Sequence, residues 1–539
     1  MKIWYVLLIA ASLSPLLCSC GKREKSINSA KQQLRLNLSG EPATMDPRKG
    51  GDVISSHMHF LLFEGLTRLD ADGSTVPAQA ESIDLSDDGK TYTFHMRAVY
   101  WSNGDPVTAF DFEKSWKDIL DPTFPSLNAH LLYPIKNAEA AKKGRVSLDQ
   151  VAIKAVDAKT LVVELDRPTP YFLNLTSFCV FFPVNHTIDA AHPEWAYQAS
   201  EHFVSNGPFI LKEWKHNNEI LAIKNLGYWD KKRVNLGAIH FSIVDNETTA
   251  LQMYERGELD MVGQPLSSLP VDALASLNKK GLLQKYPAAG TTIIAFNTLQ
   301  PPFNNANIRK AFSYAINRKE IVDNITQLGE QPATSMVPTV LKYSKTQSFF
   351  KDHDVKKAVE LLELGLSELG MKKEKLNELA FLYSTADLHH KIAQALQQQW
   401  MDVLGVKIKL ENCEHKILMD HLTKRTFTFA QTIWLAQYND QMNILERFKF
   451  KDNAKNYASW ENPEYIRLLD ESAYQGGLKR MATLEKAEKL FINEMPIAPI
   501  YHWNLSFLAK PYLKDVGFSP IGDIYFERIS IDQEQSNIR

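Results

Sequence analysis

Cys413, His415 and His421, spaced Cys-x-His-x5-His, are the closest approach to a metal-ligand pattern in this 539-residue chain. Thiolate and imidazole would suit zinc, but the spacing matches no recurrent zinc motif, so ordinary packing and solvation account for the three residues. His389 and His390 stand side by side at the start of a helical stretch. Adjacent helical residues point to different faces, so this pair does not chelate one ion unaided. The 63 carboxylates are scattered and nominate no general acid and base. The nucleophile elbow GxSxG, the phosphate loop GxxxxGK[ST], the dinucleotide motif GxGxxG and the zinc motif HExxH are all absent. No catalytic residue, metal or cofactor is therefore expected, and an enzymatic reading has no residues to stand on.

One cysteine does suggest chemistry. Residues 1–19 open with Lys2 and an apolar run over 3–17, followed by small residues, which reads as a sorting segment of an exported chain. Leu17-Cys18-Ser19-Cys20 resembles the bacterial lipobox, with Cys20 as the lipid acceptor and an anchor to the membrane. Residues 20–32 lack apolar periodicity and read as a tether. Cys179 and Cys413 then remain, too few for a disulfide scaffold, and each suits a small hydrophobic packing role. The composition, 44% hydrophobic and 23% charged, is that of a folded globular protein. A formal net charge of −2 offers no basic excess for nucleic acid.

The elements come in two styles. QLRLNLS, KTYTFHMR, VAIKAV and TLVVELD have the alternation, β-branching and short length of strands, and they dominate the first third. Later, Val355, Ala358, Val359, Leu362 and Leu366 share one helical face, as do Ile392, Leu396, Trp400, Val403 and Leu404 ahead of a C-cap at Gly405. Strands at 378–385, 406–412 and 427–436 alternate with such helices, which argues for a βαβ-like lobe. Thr108 with Asp111 reads as a helix start, and Asn304 or Asn305 can cap the helix after Pro301-Pro302.

Ordered fragments run through the chain from about residue 33: FEGLTRLDADGS, TFHMRAVYWSNGDPVTAFDFEKSW, VSNGPFILKEW, NLGYWD, GELDMV, FNTLQPPFNNANIRKAFSYAINRKEIV, YSTADLHHKIAQAL, WLAQYND and PIAPIYHW. Their identity and order resemble the oligopeptide-binding proteins of ABC importers, the peptide branch of the bacterial extracytoplasmic solute-binding family. The resemblance implies an α/β bilobal clamp of the periplasmic-binding-protein kind with an additional small domain. One lobe would be assembled from 33–64, 190–287 and 504–539, the additional domain would span 65–189, and the second lobe would span 288–503. It further implies a monomer on the periplasmic side of a bacterial membrane. That monomer would capture oligopeptides, including cell-wall peptides, and deliver them to permease and ATPase subunits. The alternatives are a lipid-anchored clamp with a signalling or surface role, and a binder of metal chelates.

The family's ligand residues map onto Trp434, Leu435, Ala436, Gln437, Tyr438, Asn439 and Asp440. Here Gln437 occupies the position of the Asp that pairs with the peptide's α-amino group. Gln431 stands where the family has a cleft Arg. An acidic position falls on Gly51, beside Asp52 and Val53, and a ligand-covering aromatic falls on Leu127. His389 keeps a position toward the carboxylate end of longer peptides. The scaffold thus matches while the charged set departs, which leaves Asp440 or Asp52 to meet an amine, or a blocked or unusual peptide such as a cell-wall fragment, or a ligand that is not a peptide, or a lost transport role.

Overall fold

The computed structural model describes residues 32–341, 348–532 and 534. Cys20, the sorting segment and the tether up to residue 31 lie outside the described residues. The first sheet pairs Gln33–Leu38 in parallel with Ala238–Ile243, then Glu219–Lys224 and Phe209–Lys215 in antiparallel. Leu34, Leu36 and Leu38 are buried as their alternation requires. Arg35, pointing to the other face, pairs with the buried carboxylate of Asp260.

A second, antiparallel sheet of four strands occupies 80–164, in the order Ala80–Leu85, Thr91–Met96, Thr160–Glu164, Ile153–Asp157. The helix Ala109–Leu120 packs on it through Phe112, Trp116 and Ile119, all buried. Its start is the expected one: the Thr108 N–H donates to Asp111 Oδ2 at 2.8 Å, a capping box.

The third sheet is mixed and larger. Ala380–Ser384 runs parallel to Lys409–Cys413, joined by the helix Asp387–Leu404, and parallel to Phe429–Leu435. This is the expected βαβ arrangement. Phe381, Trp400 and Phe429 lock helix to sheet, with Phe429 ring centroids 4.9 Å from Phe381 and 5.5 Å from Trp400. Gly405 ends the helix at φ +64°, the left-handed cap. Two details differ from expectation. The strand after it starts at Lys409, the Lys407 N–H ahead of the ladder being taken by Asn377 Oδ1 at 2.7 Å. Val355 is 42% exposed, and the buried face of its helix, Val355–Leu369, is Ala358, Leu362 and Gly365. Both described cysteines are free.

Two 13-residue strands, Gln284–Phe296 and Ile497–Ala509, pair antiparallel and tie the parts together. At one end Ile497–Ala509 pairs with Met261–Gly263. At the other end Gln284–Phe296 pairs with Phe429–Leu435. Between these ends the register breaks, from Pro287↔Asn504 to Thr291↔His502, so three residues face one. Gly290 sits in the break against Trp503, where a Cβ would come within 2.9 Å of the indole.

Candidate functional site

A cavity of about 400 Å³ lies beside this break. Its wall draws on the start of the helix Val53–Leu62, the turn at 264–268, the end of the strand Phe429–Leu435, Trp503 and Leu505 of a crossing strand, and the stretch 521–523. Asp52 caps the helix, its Oδ1 accepting the Ser55 N–H at 2.8 Å, and sits exposed with Val53 at the cavity. One turn on, His57 is buried against the cavity, and neither ring nitrogen has a partner among the described residues. Burial pushes its pKa down to about 4, so the imidazole is neutral at neutral pH.

Leu435, Ala436 and Gln437 leave the sheet into the cavity wall. The Gln437 side chain is held. Its Nε2–H donates to Asn128 Oδ1 at 2.8 Å, and its Oε1 faces the His130 ring nitrogen at 3.4 Å. Its backbone N–H donates to Asn443 Oδ1 at 3.1 Å. Asn128 in turn donates to the Gly50 carbonyl at 3.0 Å. Burial, with help from Lys455 and Arg447, pushes the His130 pKa down to about 4.

Of the sequence-derived residues, Asp52, Val53, Leu435, Ala436 and Gln437 come together at this cavity. Trp434 lies behind the wall, its ring centroid 3.6 Å from the Arg447 guanidinium carbon. His389 lines an adjoining cavity of about 500 Å³, which shares Gln264 and Ser268 with the first. Five other residues are placed elsewhere. Asp440 is locked in a two-pronged ion pair with Arg480, at 2.7 Å on each oxygen, so it does not offer itself to an amine. Tyr438 stacks on Tyr171 at 5.0 Å and bonds Glu446, while Asn439 donates to the Gly73 carbonyl at 2.8 Å. Gln431 is 3% exposed within its strand and lines neither cavity. Leu127 is 72% exposed and lies over Gly51, where a Cβ would meet its Cδ1 at 2.3 Å.

Sequence reasoning missed Arg447, Lys455, Asp523 and His57, all of which line the cavity. For Arg447 a signal was present: it falls at a core position, beside buried Ile444, Leu445 and Phe448, where a charge needs a reason. Burial pushes the Arg447 pKa down to about 9 and that of Lys455 down to about 8, the latter aided by Arg447. Burial pushes the carboxyl of Asp523 up to about 7. Among the described residues no group of three His, Cys, Asp or Glu side chains is placed to hold a metal ion. The arrangement presents hydrogen-bonding groups and charges to a guest, without a nucleophile paired to a base.

Residues 74–456 match the family model described as bacterial extracellular solute-binding proteins, family 5 Middle. The chain belongs to this family. It is 42% identical over 537 residues to the oligopeptide-binding protein OppA of Bacillus subtilis (strain 168), covering 97% of this chain and 98% of that one. It is 31% identical over 510 residues to the periplasmic murein peptide-binding protein MppA of Escherichia coli (strain K12), covering 93% and 94%. Among solved structures, the Haemophilus influenzae OppA complex with RPPGFSPFR superposes with a TM-score of 0.75 at 30% identity, covering 93% of this chain and 99% of that one. The fold is accordingly the α/β bilobal architecture of these solute-binding proteins. No helix among the described residues is long and apolar enough to cross a membrane.

Proposed function

We propose that this chain is the substrate-binding subunit of an ABC importer. It would capture oligopeptides, including cell-wall peptides, between two lobes and hand them to permease and ATPase subunits without catalysing a reaction. The observation that carries the reading is the cavity at the register break: its walls come from chain segments hundreds of residues apart, near the point where the two long strands cross. A guest there touches both sides of a hinge and can favour a closed arrangement over an open one. Segments 33–64, 190–287 and 504–539 form one lobe in this reading, 288–503 the other, and 65–189 the additional domain. Unpartnered His57 and the polar 264–268 turn suit a peptide backbone, which supplies donors and acceptors whatever its side chains.

Native mass spectrometry of the purified full chain with a random tetrapeptide library tests this. Retained peptide masses are expected, and no adduct across the library would overturn the reading. The same proposal places a monomer on the periplasmic side of a membrane, held by lipid on Cys20. Full-length chain should then partition into detergent and Cys20→Ala should not; equal partitioning would reject the anchor.

A further inference from the structure

We propose that the cavity next to Gln437 is a carboxylate-binding subsite in which Arg447 and Lys455 receive a carboxylate end of the bound ligand; this rests on the peptide reading above. Both cations line the cavity. Arg447 is 9% exposed, with its guanidinium over Trp434 and one Nη2–H donated to Asn443 Oδ1 at 3.0 Å. Neither Arg447 nor Lys455 has a carboxylate within ion-pair distance among the described residues; the one carboxylate whose charge favours both is Glu446, and Arg447 and Lys455 repel each other. That acid is already occupied, accepting the hydroxyls of Tyr438 at 2.9 Å and Tyr171 at 3.2 Å. Two desolvated cations without an anion are unfavourable, and each shows the strain as a lowered pKa. An incoming carboxylate relieves both at once, with the guanidinium fork matched to its two oxygens.

An ammonium finds the reverse. Gln437 brings no charge and donates its amide to Asn128. The cavity's two acids sit elsewhere on the wall: Asp52 caps its helix, and Asp523 accepts the Ser519 hydroxyl at 3.1 Å and keeps its proton up to about pH 7. His57, with both ring nitrogens unpartnered at the same cavity, is an independent sign that a polar guest completes the site.

The adjoining cavity has the opposite character. Glu247, Asp272 and Asp387 line it beside His389, and burial together with the charge of Asp387 raises the Glu247 pKa. A peptide lying with its C-terminal carboxylate at Arg447 and its amino group toward Glu247 and Asp387 satisfies both ends. The other source of the same chemistry is an acidic group carried on the peptide's amino end.

Four forms of the tetrapeptide library separate these: free, C-terminally amidated, N-acetylated, and amidated with an N-succinyl group. Retention is compared for wild type, Arg447→Met and Lys455→Met. Amidation is expected to weaken retention by about tenfold or more, and acetylation by less than about threefold. Each substitution should shrink the amidation penalty, and Lys455→Met keeps the test valid if Arg447→Met unfolds for want of packing on Trp434. Recovery of the amidated library by the succinyl group supports the subsite and assigns the carboxylate to the amino side. Indifference to amidation with loss on acetylation overturns the subsite while leaving the peptide reading intact. If no form is retained by wild type, the peptide reading falls and this inference with it.

Discussion

Asp523 reaches the cavity with the Ser519 hydroxyl as its one side-chain partner and no cation beside it among the described residues. Because the folded chain holds this proton up to about 7 while the ordinary value is 3.8, the folded state binds more protons than the unfolded one between those limits. Stability contributed by this group is therefore lost as pH rises through that window. Asp523→Asn keeps the acceptor for Ser519 and removes the ionisation. It should leave stability nearly unchanged below about pH 4 and raise it by ~1–4 kcal/mol above about pH 7, an order of magnitude set by one to three pKa steps. Denaturant midpoints of both proteins across this range check it, and parallel pH profiles would reject the buried acid. The same scale shows where sequence reasoning about the site ran out. Position 437 could be found from the run around Trp434, but the partners of Asp440 and Gln437 could not: Arg480 is 40 residues and Asn128 is 309 residues away.

At the level of elements, local rules carried far. The helix after Pro301-Pro302 could be capped by Asn304 or Asn305 on sequence alone; the structure selects Asn305, whose Oδ1 accepts the Asn307 and Ile308 N–H groups at 2.8 and 3.2 Å. Asn304 is exposed and caps nothing. Asn305→Ala should thus cost ~1 kcal/mol of stability, measured by denaturant unfolding, while Asn304→Ala stays within about 0.5 kcal/mol. Equal effects would mean the cap is misassigned. The amphipathic helices and alternating strands were legible because each buries one face. The extent of the two 13-residue strands was not, since Gln284–Phe296 is wholly buried from Ala288 onward and so shows no alternation, while Pro287, Gly290 and Pro499 read as breakers. In the structure those same residues lie at or beside the register shifts of the pair.

For the whole molecule, the segments 65–189 and 288–503 meet across a surface distinct from the crossing strands. Tyr171 stacks on Tyr438 and shares Glu446 with it, Asn439 reaches Gly73, Arg167 pairs with Asp470 at 2.6 Å, and Gln437 reaches Asn128. If the lobes part about the break at 287–291 and 502–504, these contacts are the ones that separate, while the ladders on either side of the break stay paired. Among these contacts Tyr171–Tyr438 is the aromatic pair, and both rings are buried, so on lobe parting it would weight the closed form in the absence of a guest. Moving a population from 1:99 to 99:1 requires about 5.5 kcal/mol of preferential binding to one form, and a contact worth ~1 kcal/mol at this surface shifts the starting point by several-fold. Tyr171→Ala should therefore expand the ligand-free chain, and saturation with a retained library peptide should compact it again. Small-angle scattering on wild type and variant, with and without that peptide, reads the radius of gyration directly. A radius that responds neither to the substitution nor to saturating peptide would reject hinge closure and leave the cavity as a fixed pocket.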